Sequence, residues 1–174
     1  MVGQETDRRG WRGALQAQAE IYMTRTSTFD TLDAAAKRFN RLKNAFDKFA
    51  QLCEPEAGTD QPAGTTMTID LQLERHRFEL NFLGRTLRFA WFARLSGPDA
   101  FTGHVICSTP SIVDEKKSVE VGRFDFDTRG NTPYVPAGVM DDDDEEEEAL
   151  NIQNDSDAIY ILGALFLRAL QSTS

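Results

Sequence analysis

Two histidines, His76 and His104, and two cysteines, Cys53 and Cys107, are the only imidazoles and thiols in the chain. His104 and Cys107 have a spacing found in metal sites, but no second pair completes a four-ligand set. On a strand, alternation also sends these two side chains to opposite faces. A Cys/His nucleophile would need either thiol to meet His76 in space, whereas small apolar packing suits both cysteines better. Asp125 and Asp127 point the same way along one predicted strand. They are a candidate acid/base pair whose ordinary reading is a solvated face. No Gly-rich phosphate loop, G-x-S-x-G elbow or kinase signature occurs. These absences point away from an enzyme, and they call for no metal or cofactor.

The strongest chemical signal is an unbroken run of eight carboxylates: Asp141, Asp142, Asp143, Asp144, Glu145, Glu146, Glu147 and Glu148. Residues 1–53 hold nine basic and six acidic side chains, net +3, and residues 54–130 hold nine and twelve, net −3. Residues 131–174 hold one and ten, net −9; eight of those ten are the strip, without which the formal charge would be −1 instead of −9. Adjacent carboxylates repel one another and resist burial, which makes 139–150 a solvated loop. It reads as a solubilising segment or as a docking strip for a basic partner protein. A third reading is intramolecular, with Lys37, Arg38, Arg41 and Lys48 on the long helix as receivers. The strip supplies oxygen ligands but lacks the glycine and spaced-ligand pattern of a calcium loop. General electrostatics disfavour direct nucleic-acid binding by so acidic a chain. Phe89, Trp91 and Phe92 lie on one apolar strand without a concentrated basic rim, which favours core packing over RNA stacking.

The elements that must position these groups follow from periodicity. Residues 1–13 read as a flexible arm and 14–174 as a single domain. Leu15, Ala17, Ala19, Ile21 and Met23 alternate with polar residues, which predicts a strand. Helix competes over 14–26, because Ala, Gln and Glu are good helix formers. Leu32, Phe39, Phe46 and Cys53, interleaved with Ala35, Leu42 and Phe49, predict a long amphipathic helix. Ser27, Thr28 and Asp30 are its candidate caps, and Pro55 and Gly58 end it. The heptad spacing also suits a coiled-coil pair, though three bulky Phe residues suit packing on a sheet better.

Five β-runs follow: Met67–Glu74, Phe78–Phe82, Leu87–Leu95, Phe101–Ser108 and Val119–Asp127. In the fifth, the apolar phase switches across Gly122, which predicts a bulge. Short connections predict an antiparallel meander. Ala90 and Phe92 give the third run a second apolar face, so it should be central or covered on both sides. A final helix, about Ala158–Leu170 and capped by Asp155, Ser156 or Asp157, is apolar nearly all round. That predicts burial on several sides, with Ile159, Leu162, Phe166 and Leu170 as one stripe. The fold class is α+β: an antiparallel sheet of five or six strands against a long helix and a buried C-terminal helix.

This order, strand–helix–five strands–helix, resembles that of helix-grip proteins, in which a bent antiparallel sheet wraps a long C-terminal helix. The likeness is one of element order and implies a fold, not an activity. By size and charge the chain is also similar to small acidic secretion chaperones and to inhibitors of phage or toxin origin. The start of the chain lacks a signal-peptide pattern, and the longest apolar run, Ala158–Leu167, is too short to span a bilayer. A cytoplasmic protein with reduced thiols is the expectation. The leading functional expectation is a non-catalytic protein-binding module of chaperone, adaptor, immunity or inhibitor type. It would use the acidic loop and apolar surface, and self-association is open to it. The alternatives are a hydrophobic-ligand carrier or enzyme with a pocket between sheet and C-terminal helix, and an acidic DNA mimic.

Overall fold

The computed structural model describes residues 5–54, 67–95, 100–111, 114, 117–133 and 149–171, with side chains from Thr28 onward. The chain divides into two units, Met1–Lys37 and Arg38–Ser174. Helix α1 spans Glu5–Leu52 and belongs to both. Its length corrects two expectations. Leu15–Met23 is helix, not strand, and residues 5–13 of the supposed arm are helical as well. Alternation among small alanines carries little β preference, so the helix-forming Ala, Gln and Glu side chains decide the outcome. The Ser27–Asp30 caps are helix interior for the same reason. The leading strand on which the likeness to helix-grip proteins depended is therefore missing.

In the first unit, residues 28–34 are exposed all round the helix, Phe29 and Leu32 included. In the second, α1 carries Leu42, Ala45, Phe46, Phe49, Ala50 and Cys53 fully into the core. The predicted stripe thus holds from Phe39 to Cys53 and fails at Leu32.

The sheet is a five-stranded antiparallel meander in sequence order: β1 Thr68–Gln72, β2 Arg77–Phe82, β3 Arg85–Leu95, β4 Phe101–Pro110 and β5 Ser118–Phe126. Large apolar residues alternate along each strand, so Phe78, Leu80, Leu87, Phe89, Trp91, Val105, Cys107, Phe124 and Phe126 all face the helices. β3 is central, as expected, but its second face is open: Ala90 and Phe92 are exposed. The predicted bulge is present. Cys107 pairs with Gly122 and Ser108 with Glu120, which leaves Val121 as the extra residue.

Two further short strands, β6 Asn131–Thr132 and β7 Leu150–Asn151, pair antiparallel. Helix α2, Asp155–Gln171, then packs on the core side of the sheet.

Gly103 shows how closely this core is built. It lies in register with Phe126, whose ring covers it. A Cβ there would stand 2.2–2.7 Å from three ring atoms. Phe126 is itself buried against Trp91 and has little room to yield. Gly103→Ala is expected to destabilise the protein by about 1–3 kcal/mol. A urea midpoint equal to that of the wild type would show that the ring moves aside freely.

Candidate functional site

α2 begins at a cap supplied by Asn154, not by the three expected residues. Its Oδ1 accepts from the Ser156 N–H (3.0 Å), the Ser156 hydroxyl (2.9 Å) and, more weakly, the Asp157 N–H (3.4 Å). Asp155, Ser156 and Asp157 lie inside the first turn, where negative charge complements the helix dipole. Asp157 also accepts from the Asn151 N–H at 2.9 Å, which fastens the helix start to β7.

The buried face of α2 is Ala158, Ile161, Leu162, Leu165, Phe166 and Ala169. Gly122 gives Leu165 its seat: a Cβ there would lie 2.6 Å from Leu165 Cδ2. Phe166 meets Phe82 with ring centroids 5.1 Å apart. Burial stops there, which corrects the expectation of a helix enclosed on several sides. Ile159 is 54% exposed, Leu167 60% and Leu170 37%, and Tyr160 and Gly163 are also open. Ile159, Gly163, Leu167 and Leu170 follow an i, i+4, i+8, i+11 course and form one outward stripe. Of the predicted stripe, Leu162 and Phe166 face inward while Ile159 and Leu170 face outward.

All eight candidate residues, Asp141 to Glu148, lie outside the described residues. Asn131 pairs with Asn151 and Thr132 with Leu150, so the described residues on either side of the strip lie side by side. Asp127 secures the first flank by accepting from the N–H groups of Arg129 (2.7 Å) and Asn131 (2.9 Å) and from Asn131 Nδ2 (3.0 Å). Asn151 and Gln153 both donate to the Arg129 carbonyl, at 3.2 and 2.6 Å, and the Ile152 N–H donates to Gly130 O at 2.9 Å. Gly130 has φ +85°, and a Cβ would run into Gln153 and Asn151 at 2.7–2.8 Å. Of the proposed intramolecular receivers, Lys37 is ion-paired to Asp33 at 2.6 Å, and Arg41 and Lys48 are exposed.

The open face of the sheet holds one arrangement that the sequence reading missed. His104 and Asp125 are direct cross-strand partners, and His104 Nδ1 bonds Asp125 Oδ1. Phe92, opposite His104 on β3, places its ring 5.0 Å from the imidazole. The carboxylate fixes the proton on Nδ1 and leaves Nε2 as the basic nitrogen, as a His–carboxylate pair does in proton transfer. The same contact is an ordinary cross-strand pair that holds β4 to β5 beside the bulge. Asp127 is drawn instead into the turn after β5, so Asp125 and Asp127 do not form the candidate acid/base pair, whose ordinary reading was a solvated face. The signal for His104–Asp125 was register, and register needs the bulge to be counted.

His104 and Cys107 take opposite faces of β4, as alternation predicts. Cys53 and Cys107 are buried free thiols. Burial pushes both thiols well above their ordinary value, and Cys53 pushes Cys107 further in the same direction. Phe89 and Trp91 are core residues, which leaves Phe92 alone of the three candidate stacking aromatics exposed. Among the described residues, no group of three or more His, Cys, Asp or Glu side chains is placed to hold a metal ion. None of their helices is long and apolar enough to cross a membrane. No protein-family model, curated protein or solved structure matches the chain.

Proposed function

We propose that the protein is a non-catalytic protein-binding module that docks a basic, amphipathic segment of another protein on the outward face of α2. The observation that carries this reading is the exposed stripe Ile159, Leu167 and Leu170 on a helix whose other face is locked into the core. A helix anchored in this way presents its apolar side chains with little further ordering cost on binding. Charge selects the partner. Eight consecutive carboxylates precede the helix start by a few residues, and the link between them is tied to α2 through Asn151 and Asp157. A partner helix with an apolar stripe flanked by Lys or Arg satisfies both features.

A synthetic amphipathic peptide of leucine and lysine tests the reading by fluorescence anisotropy. Binding is expected to weaken as salt rises. Leu167→Lys should weaken it about tenfold or more, the scale of one lost apolar contact. Because Leu167 is exposed, that substitution should change stability by no more than about 0.5 kcal/mol. Deleting residues 141–148 should remove most of the salt dependence. Equal affinity for wild type and Leu167→Lys overturns the proposal. So does a concentration-dependent dimer that Leu167→Lys dissolves, because a second copy would then cover the stripe.

A further inference from the structure

Five glycines have described surroundings, and the fold accounts for four of them. Gly84 and Gly130 take φ +72° and +85°, where a residue with a Cβ is strained. At Gly103 a Cβ would run into the Phe126 ring, and at Gly122 into Leu165. Gly163 answers to neither reason. It is the ninth of the 17 residues of α2, and a Cβ built on it would meet nothing among the described residues within 4 Å. Glycine is the least favourable helix-interior residue after proline, because it gives up the most backbone freedom on folding. Alanine would fit here and hold the helix better, so the folded chain gains nothing from Gly163.

What the glycine does supply is a hollow. One turn away on the outward face stand Ile159, Tyr160 and Leu167, which are 54%, 39% and 60% exposed. Three large side chains thus surround a floor of bare backbone, and no described side chain comes close enough to fill the space above it. A helix packing across such a hollow sends one side chain into it, as a knob enters a hole. With no Cβ in the floor, that knob can be larger than the branched aliphatic residue usual in helix seams. The Tyr160 ring in the wall favours an aromatic neighbour. Charge still selects which helix arrives, because eight consecutive carboxylates precede α2 and call for basic flanks.

We propose that Gly163 is the seat for an aromatic side chain at the centre of the partner's apolar stripe, and so sets which residue the partner carries there. The inference rests on the docking reading, and its test separates the two. Leucine–lysine amphipathic peptides with Phe, Leu or Ala at the central apolar position are titrated against the full chain by fluorescence anisotropy. Urea midpoints are measured on the same proteins. Wild type should bind the Phe peptide about tenfold or more tighter than the Ala peptide, the scale of a central anchor, and tighter than the Leu peptide. Gly163→Ala should raise the urea midpoint. It should nevertheless weaken the Phe peptide about tenfold while changing the Ala peptide by less than about twofold. A glycine with a purely structural role would not give a more stable fold with poorer capture. If Gly163→Ala binds all three peptides as wild type does, or the Leu peptide binds wild type as tightly as the Phe peptide, the aromatic seat is overturned and the docking face stands. A lower urea midpoint for Gly163→Ala also overturns the seat, since the fold itself would then need the glycine. Failure of wild type to bind any of the three peptides overturns both readings.

Discussion

Phe49→Ala is expected to destabilise the protein by about 3–5 kcal/mol, a large part of a domain's whole stability. Phe49 is fully buried at the point where α1 meets the sheet. Its ring lies 5.6 Å from Phe124, 5.8 Å from Phe78, 6.0 Å from Phe89 and 6.4 Å from Phe46. Phe78 and Phe89 are cross-strand partners stacked at 4.5 Å, so they form a flat surface that cannot fold inward to fill a hole. Truncating Phe49 therefore removes the burial of one ring and leaves a cavity under four others, and the two costs add. Equilibrium urea unfolding provides the measurement. Phe29→Ala is the control: the same chemistry, 70% exposed, should change stability by no more than about 0.5 kcal/mol. If the two variants unfold at the same denaturant concentration, the aromatic cluster is not what holds α1 to the sheet.

The second large effect is alkaline destabilisation. Cys53 and Cys107 have an ordinary thiol value of 9.0, and burial raises both. Above pH 9 the unfolded chain loses these two protons while the folded chain keeps them. The unfolded state then binds fewer protons, so stability falls as pH rises. Each thiol contributes a slope of about 1.4 kcal/mol per pH unit, fully absent below pH 9 and present through the range in which only the unfolded form ionises. Urea midpoints at pH 8, 9, 10 and 11 should be flat across the first interval and drop steeply after it. A Cys53→Ala, Cys107→Ala double variant should lose most of that drop despite its lower starting stability. In the native state below pH 9 neither thiol should react with iodoacetamide on the timescale that labels the unfolded chain.

The sheet was legible because its signal is redundant. Each strand alternates large apolar side chains with polar ones, and even the change of phase at Gly122 marked the bulge correctly. Leu15–Met23 misled because three of its five apolar positions in the alternation are alanine or methionine, which fit a helix as well as a strand. α2 misled for the opposite reason. With ten uncharged residues in succession, periodicity cannot say which stripe faces inward, and the answer lies in shape. Ala158 and Ala169 are the small residues of the buried face, and Gly122 on β5 receives Leu165. The His104–Asp125 pair depends on residues brought together by strand register, 21 positions apart. No local pattern carries that information.

The β6–β7 clasp has a consequence for how this chain can vary. Because Thr132 and Leu150 already sit side by side, whatever is spliced between them adds only the slowly growing entropy of a longer loop, about 0.6 kcal/mol for each doubling. A foreign peptide grafted between them is therefore expected to cost the fold little, which urea unfolding of such a chimera would check.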